Sequence, residues 1–391
     1  MQRKIIALVV AGVASGGAVA QSSVTIFGLF DVSLVTNSAK GRTYGINSSA
    51  MQASSIGFRG TEDLGNGLRA FFNLKESVNL LTGGTGSSSS GATTSGYNNF
   101  NSSANVGLAG SFGTIIVGRQ VTPVFATMGA VDVFNAASGG IGQQWAMGNV
   151  TGWRSPLTSL VMPLTSNNAG GAVLASSYAG GISYTTPNLA GFQAKVFVTA
   201  GNNITGAPFS DNGIRELGAS YNNGSISANW AYNSTSGKVA ANAVTGVFPR
   251  NITESTHNVL GGSYKFGGLK FAAAWFKAKY DATLQATNHD NSGWTLGATY
   301  QTGPTRFGLE YTAGKDDIVS TNKDNILSFL ADYTLSKRTN LYAMLATVGN
   351  SGNASVQPIW TSPSLNSVPG NALDARGIRD TSLVLGMRHS F

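Results

Sequence analysis

Thr381-Ser382-Leu383-Val384-Leu385-Gly386-Met387-Arg388-His389-Ser390-Phe391 closes the chain. Read with period two, Leu383, Leu385, Met387, His389 and Phe391 share one face, while Ser382, Val384, Gly386, Arg388 and Ser390 share the other. One face is mainly apolar; the other is mainly small or polar. A regular strand running to the last residue fits the closing member of a barrel, paired on both sides. An ordinary strand of a soluble sandwich carries the same alternation, so the choice passes to the rest of the chain.

At the other end stand Arg3 and Lys4, an apolar run over residues 5–13 and small residues ending Ala18-Val19-Ala20. This is the pattern of an export signal, so residues 1–20 are set aside and residues 21–391 are expected to form one domain. After it no apolar run reaches the roughly eighteen residues of a membrane-spanning helix. The exported chain is therefore soluble or a β-barrel. It has no cysteine, which excludes a disulfide scaffold and a thiolate metal site. Fifty-one glycines, 11% charged residues and near-zero mean hydropathy suit strands that alternate lipid-facing and water-facing positions. Without the signal, 23 basic residues face 17 acidic ones, an excess of +6 that points outside the cell to anionic solutes or surface lipid and not to nucleic acid.

Residues 24–35 alternate again, with Val24, Ile26, Phe30, Val32 and Leu34 opposite Thr25, Asp31 and Ser33. Residues 54–61 and 68–75 flank a Gly-rich turn and read as a hairpin. The device repeats. Seven short turns, near residues 62–67, 111–113, 187–191, 222–224, 267–268, 303–304 and 336–340, alternate with eight longer polar segments. The latter cover 36–52, 79–98, 122–177, 202–212, 237–254, 282–291, 316–322 and 351–375. Fifteen connections predict sixteen strands, and the asymmetry of loop length predicts an antiparallel transmembrane barrel with short turns on the periplasmic side. The Ser/Gly run at 82–95 lies between hairpins and reads as an outer loop.

The chain resembles a general porin of the Gram-negative outer membrane, the trimeric sixteen-stranded, betaproteobacterial-like type. The resemblance is carried by residues 56–65 (Ile-Gly-Phe-Arg-Gly-Thr-Glu-Asp-Leu-Gly), Val106-Gly107-Leu108, Ser111-Phe112-Gly113-Thr114 and Gly118-Arg119-Gln120. It continues through Ser183-Tyr184-Thr185-Thr186-Pro187-Asn188, residues 333–339 and the Gly386-to-Phe391 end. It implies a passive channel for small hydrophilic solutes and ions, a homotrimer in the outer membrane among lipid and lipopolysaccharide, and a third outer loop folded into the lumen. It further implies that Phe391 is the signal read by the barrel-assembly machinery. The chain departs from the pattern at Ser102 and Ser177, where arginines are expected, and at Lys75, where an acid is common, so the family's constriction charges do not carry over wholesale.

Alternation assigns Arg59, Arg69, Lys75, Arg119, Lys195, Lys265, Lys270, Arg306 and Arg388 to the inner wall, with Asp31, Glu216, Glu310 and Asp332 as inward acids. Nine against four favours anions, because wall charges act over a Debye length of about 8 Å, comparable to a narrow pore radius. Arg59 and Arg119 lie about five residues from short turns, near mid-height of a strand of roughly ten, and are the constriction candidates. Across from them the resemblance expects an acid on the third loop. Asp132 is the acidic residue of 122–177 and Arg154 the basic one, so Asp132 is expected to face Arg59 and Arg119. That loop is far longer than ordinary connections, and its Val131, Val133, Phe134, Ile141, Trp145, Met147 and Trp153 fit a segment tucked against the inner wall. Phe58, Phe72, Tyr221, Tyr264, Trp275, Tyr311 and Tyr333 face outward as candidate interfacial girdles. Lys277 and Lys279 fall outward at the outer end of their strand, within reach of lipid phosphates, unless a bulge turns them inward.

An enzyme needs a constellation, and His257, His289 and His389 show no metal spacing and no adjoining nucleophile motif. The Gly-x-Gly patterns fall in hairpin turns and give no phosphate loop. No cofactor is expected. The competing readings are a substrate-specific outer-membrane channel and a surface adhesion protein.

Overall fold

The computed structural model describes residues 23–38, 43–85, 100–133, 178–199, 213–236, 252–282, 289–352, 377 and 379–391. The expected export signal, the Ser/Gly run from residue 86 and the third loop beyond Val133, with Trp145, Trp153, Arg154 and Ser177, lie outside them.

Along the chain come β1 (Ser23–Asn37), β2 (Thr43–Ser48), β3 (Ser55–Gly65), β4 (Leu68–Ser77), β5 (Ser103–Gly110) and β6 (Gly113–Val121). A helix, α1 (Pro123–Val131), leads out of β6. Then follow β7 (Tyr178–Thr185), β8 (Phe192–Val198), β9 (Ile214–Asn222), β10 (Ile226–Ser236), β11 (Ile252–Phe266) and β12 (Leu269–Ala282). The wall is completed by β13 (His289–Thr302), β14 (Thr305–Asp316), β15 (Lys323–Thr334), β16 (Thr339–Ser351) and β17 (Arg379–Ser390).

Neighbours in sequence are neighbours in the sheet, and β17 pairs antiparallel with β1, from Leu29 opposite Ser390 to Asn37 opposite Ser382. The ring is closed. On its other side β1 meets two segments: residues 23–29 pair with β3 and residues 32–37 with β2. These two occupy one place in the wall, so the barrel has sixteen strand positions. The sequence reading had residues 36–52 as an open loop; β2 forms there because the upper half of β1 would otherwise keep a bare edge. The tight turns follow their chemistry. Between β3 and β4, Asn66 and Gly67 both hold positive φ (50° and 76°), which a two-residue hairpin turn requires.

The two faces of the wall bury different things. Val24, Ile26, Val106, Ile182, Leu260, Leu296 and Leu309 are each more than half exposed on the outer face. A continuous apolar band of this size is a lipid-facing surface and excludes the soluble sandwich. The inner face carries the polar side chains, together with an apolar cluster in which Val124, Met128 and Val133 of the third loop meet Ala231, Val259, Ala272 and Phe276 of the wall. Outer-face Trp275, Tyr264, Tyr311 and Tyr333 stand exposed, as the alternation predicts.

Candidate functional site

The interior is shaped by two segments that fold into it. The larger is α1, which packs on β9, β10 and β11 and touches β8 and β12. Thr122-Pro123 starts it, with Pro at the first turn where its missing N–H costs nothing, but Thr122 makes no side-chain cap and the first turn holds no acid. The wall supplies both. Glu216 on β9 accepts the Val124 N–H at 2.9 Å through Oε2, placing a carboxylate at the positive end of the helix dipole. Beyond the other end, Glu310 on β14 accepts the Val133 N–H at 3.2 Å and the Arg306 guanidinium donates to the Val133 carbonyl at 3.3 Å.

Between these clamps the wall is notched to receive the loop. Gly218, Gly261 and Gly297 sit at inward positions. A Cβ at Gly218 would lie 3.2 Å from that of Pro123, one at Gly261 would lie 2.7 Å from Val131 Cγ1, and one at Gly297 would collide with Val133. A side chain at Gly261 or Gly297 would displace Val131 or Val133, and one at Gly218 would crowd Pro123.

The smaller inward segment is the 49–54 link between β2 and β3. It turns at Ser49, with φ 73°, and folds over Asp31. Asp31 accepts the Met51 and Gln52 N–H groups at 2.8 and 2.5 Å, and the Tyr342 hydroxyl as well. Ala50 and Met51 are fully buried in the apolar cluster with Val35, Tyr342, Met344 and Val384. Asp31 points inward but is 0% exposed, so it organises this link and does not face open lumen.

Among the described residues, a stretch of inner wall on β3 to β6 borders open space. Arg59, Arg69 and Lys75, with Asn73, Ser103 and Thr114, line a cavity of about 620 Å³. The Arg59 guanidinium stands 5.1 Å over the Phe27 ring, a cation–π contact that orients it. Counted around the ring, β3 and β4 are the second and third wall positions and β9 to β12, which carry α1, are the eighth to eleventh. The basic wall and the helix thus face one another across the barrel.

Asp132 caps the C-terminus of α1, its N–H bonded to the Met128 carbonyl at 3.1 Å. It lies on the helix side of the barrel, 3% exposed, within electrostatic reach of Lys270. Arg119 differs from the sequence expectation. The ladder pairs it with Ala104 and Gly180, on the same face as outward Val106, Val117 and Ile182, and its Nε donates to the Asn101 carbonyl. Strict alternation from Ile115 and Val117 gives the same face; the inward assignment did not follow the period.

Several of the remaining inward charges are engaged within the wall. Asp332 pairs with Arg306 at 3.2 Å and with Arg388 at 3.6 Å, and Arg388 also donates to Gln52 at 3.1 Å. Lys195 donates to the Val121 carbonyl at 3.1 Å. Asp316 and Asp324, which the sequence reading took for outer-loop acids, and Asp380, which it passed over, are placed by the ladders on the inner face near the outer rim. With Asp31, Glu216, Glu310 and Asp332 they make seven buried inward acids; an eighth, Asp63, stands opposite Arg69 beside the short turn and is exposed. By contrast Arg59, Arg69, Lys75, Lys195, Lys265, Lys270, Arg306 and Arg388 are each half-buried or exposed. Among the described residues the accessible charge on the inner wall is therefore mainly basic, with Asp63 as the exposed acid. Among the described residues no group of His, Cys, Asp and Glu could hold a metal ion.

Comparison with known proteins gives a consistent picture. The family model described as Gram-negative porin matches residues 7–353. Outer membrane porin protein 32 of Delftia acidovorans is 31% identical over the full length of both chains. Major outer membrane protein P.IA of Neisseria meningitidis is 28% identical over 73% of each chain. Among solved structures, the anion-selective porin from Comamonas acidovorans superposes with a TM-score of 0.72 at 25% identity, covering 95% of this chain and 100% of that one. OmpT of Vibrio cholerae, with a loop deleted, superposes at 0.63 with 14% identity, a likeness of fold alone.

Proposed function

Because the chain belongs to the Gram-negative porin family and forms a passive outer-membrane channel for small hydrophilic solutes, we propose that this channel prefers anions. The observation that carries the reading is the difference in exposure between inward charges: seven of the eight inward acids are buried, Asp63 opposite Arg69 being the exception, while Arg59, Arg69, Lys75 and Lys265 keep accessible charge. An ion passing within a Debye length of Arg59, Arg69 and Lys75 meets an accessible positive potential. The anion selectivity of the structural neighbour from Comamonas acidovorans supports the same reading. The constriction is formed by Arg59 and Lys75 on one side and the α1 segment ending at Asp132 on the other, with Arg69 nearer the periplasmic mouth. Residues 1–20 act as the export signal, and the mature chain works as a homotrimer in contact with lipid and lipopolysaccharide.

The reversal potential across a planar bilayer in a salt gradient tests this. The native channel is expected to favour chloride over potassium, and Arg59→Gln with Lys75→Gln to lower that preference several-fold while the channel stays open. A native preference for potassium would overturn the proposal. Asp132→Asn probes the other side. Loss of its charge leaves Lys270 less compensated, so anion preference is expected to rise modestly; an unchanged reversal potential would remove Asp132 from the constriction.

A further inference from the structure

The outer rim of the barrel carries a charge pattern that conduction through the lumen does not use. Lys277 on β12 and Lys315 on β14 point outward and share one carboxylate, Asp317, at 3.4 and 3.2 Å. The Asp317 carboxyl is also bonded by the Ser292 hydroxyl at 2.7 Å. Burial pushes its pKa up, but these donors outweigh that and hold it below the usual carboxylate range, so it is ionised at neutral pH. On the next strand Lys323 stands directly opposite Lys315 in the ladder, and both side chains are exposed. Like charges directly opposite destabilise a sheet unless something anionic lies between them. The neighbouring Lys279 is matched opposite Asp290, so the uncompensated charge falls on the Lys277, Lys315 and Lys323 group.

What lies below identifies the occupant. On the same outer face Trp275 stands two residues down from Lys277, and Trp294 packs against Tyr311 with ring centroids 5.4 Å apart. Such rings mark the boundary of the hydrocarbon layer. Tyr311 precedes Lys315 by four residues on one strand, which for a tilted strand puts the lysine roughly 9 Å higher. The cations therefore sit at headgroup height, directly above an apolar surface that takes acyl chains.

We propose that Lys277, Lys315 and Lys323 form a binding site for the phosphate of an outer-leaflet lipid, whose acyl chains lie over Trp275, Trp294 and Tyr311. The site rests on the outer-membrane reading and extends it from a lipid-facing surface to a specific headgroup contact. Bis-phosphorylated lipid A is the probe, titrated onto the purified barrel in detergent and followed by native mass spectrometry, with phosphatidylcholine and inorganic phosphate in parallel. Lipid A is expected to bind the native barrel more tightly as salt is lowered, and Lys315→Gln with Lys323→Gln to weaken it several-fold, while Lys315→Arg with Lys323→Arg retains it. Phosphatidylcholine binding should not change. Equal lipid A binding by the Gln variant, full competition by inorganic phosphate, or loss of subunit association with lipid A binding intact would overturn the site. If the Gln variant does not fold, the salt titration of the native barrel decides alone, and salt-independent binding sinks the proposal. Single-channel conductance of the same preparations tests the channel reading separately, because these side chains face away from the lumen.

Discussion

A barrel carrying Glu216→Ala together with Glu310→Ala is expected to lose its steady open level. Each substitution leaves a buried N–H of the third loop without its acceptor: Val124 at the start of α1 and Val133 just past its end. Glu216→Ala also removes the acceptor to which the Asn233 amide donates at 2.8 Å. A bond to a charged acceptor contributes about 1.5–3 kcal/mol, so each loss raises the detached fraction of the loop by roughly ten- to a hundredfold. The backbone ladders of the wall are kept, since only side chains change, although the Asn233 contact between β9 and β10 is lost. Planar-bilayer recordings should show larger, flickering conductance, and liposome swelling should admit larger solutes. The charge change is separated from the loss of anchoring by Glu216→Gln with Glu310→Gln, which removes the negative charges but keeps an acceptor oxygen at each site. That pair should keep a steady level while shifting the reversal potential. A steady level in the Ala pair would show that the glycine notches and apolar packing suffice to hold the loop.

Deleting Phe391 is expected to lower the yield of assembled protein sharply without altering the conductance of the channels that form. In the folded barrel the Phe391 N–H donates to the Gly28 carbonyl and the Gly28 N–H to that of Phe391, both at 3.1 Å. The ring lies over Gly28, where any side chain would collide with it, and its edge meets Phe30 at 5.2 Å. The deletion thus removes two seam hydrogen bonds at about 0.5–1.5 kcal/mol each along with the aromatic contact. It also removes the terminal residue that we propose the assembly machinery reads. Gly28→Val distinguishes the two roles, because it keeps the terminal Phe but fills its seat. Heat-modifiable migration on native gels, with and without boiling, is the readout. If recognition dominates, the valine variant assembles far better than the truncation; equal yields for the two would leave the seat as the sole role of Phe391.

The barrel was legible in the sequence because period-two alternation and turn chemistry are local. Asn66-Gly67 and Gly267-Gly268 announce hairpins without reference to anything distant. Inward orientation was equally legible for Arg59, Arg69 and Lys75, whose neighbours keep the period. What alternation cannot report is whether an inward side chain reaches water. Asp31, Glu216 and Glu310 face inward as read, yet each is consumed by a segment arriving from elsewhere: residues 49–54 for the first, α1 and its continuation for the other two. Their burial depends on contacts 20, 92 and 177 residues away in sequence. The helix was missed as well, although Thr122-Pro123 is a usable start signal and the glycines at 218, 261 and 297 are its imprint on the opposite side of the contact. Arg119 was misassigned for a different reason: it was placed against the period of its own strand.

The seam between β1 and β17 also sets the order of events during assembly. Every other wall contact joins strands adjacent in sequence or, for β1 and β3, separated by one short strand, whereas here Asn37 bonds Asp380 across 343 residues. The entropy of closing so long a loop grows only logarithmically with length, but none of the seam's contacts can form until both chain ends are present. The seam is therefore the last part of the wall to zip. Until then the nascent sheet has two bare edges, and each is competent to pair with another copy. Slow closure, more than weak pairing, is where such a chain is exposed to aggregation, so conditions that delay the last strand should trap open sheets and not merely loosened barrels.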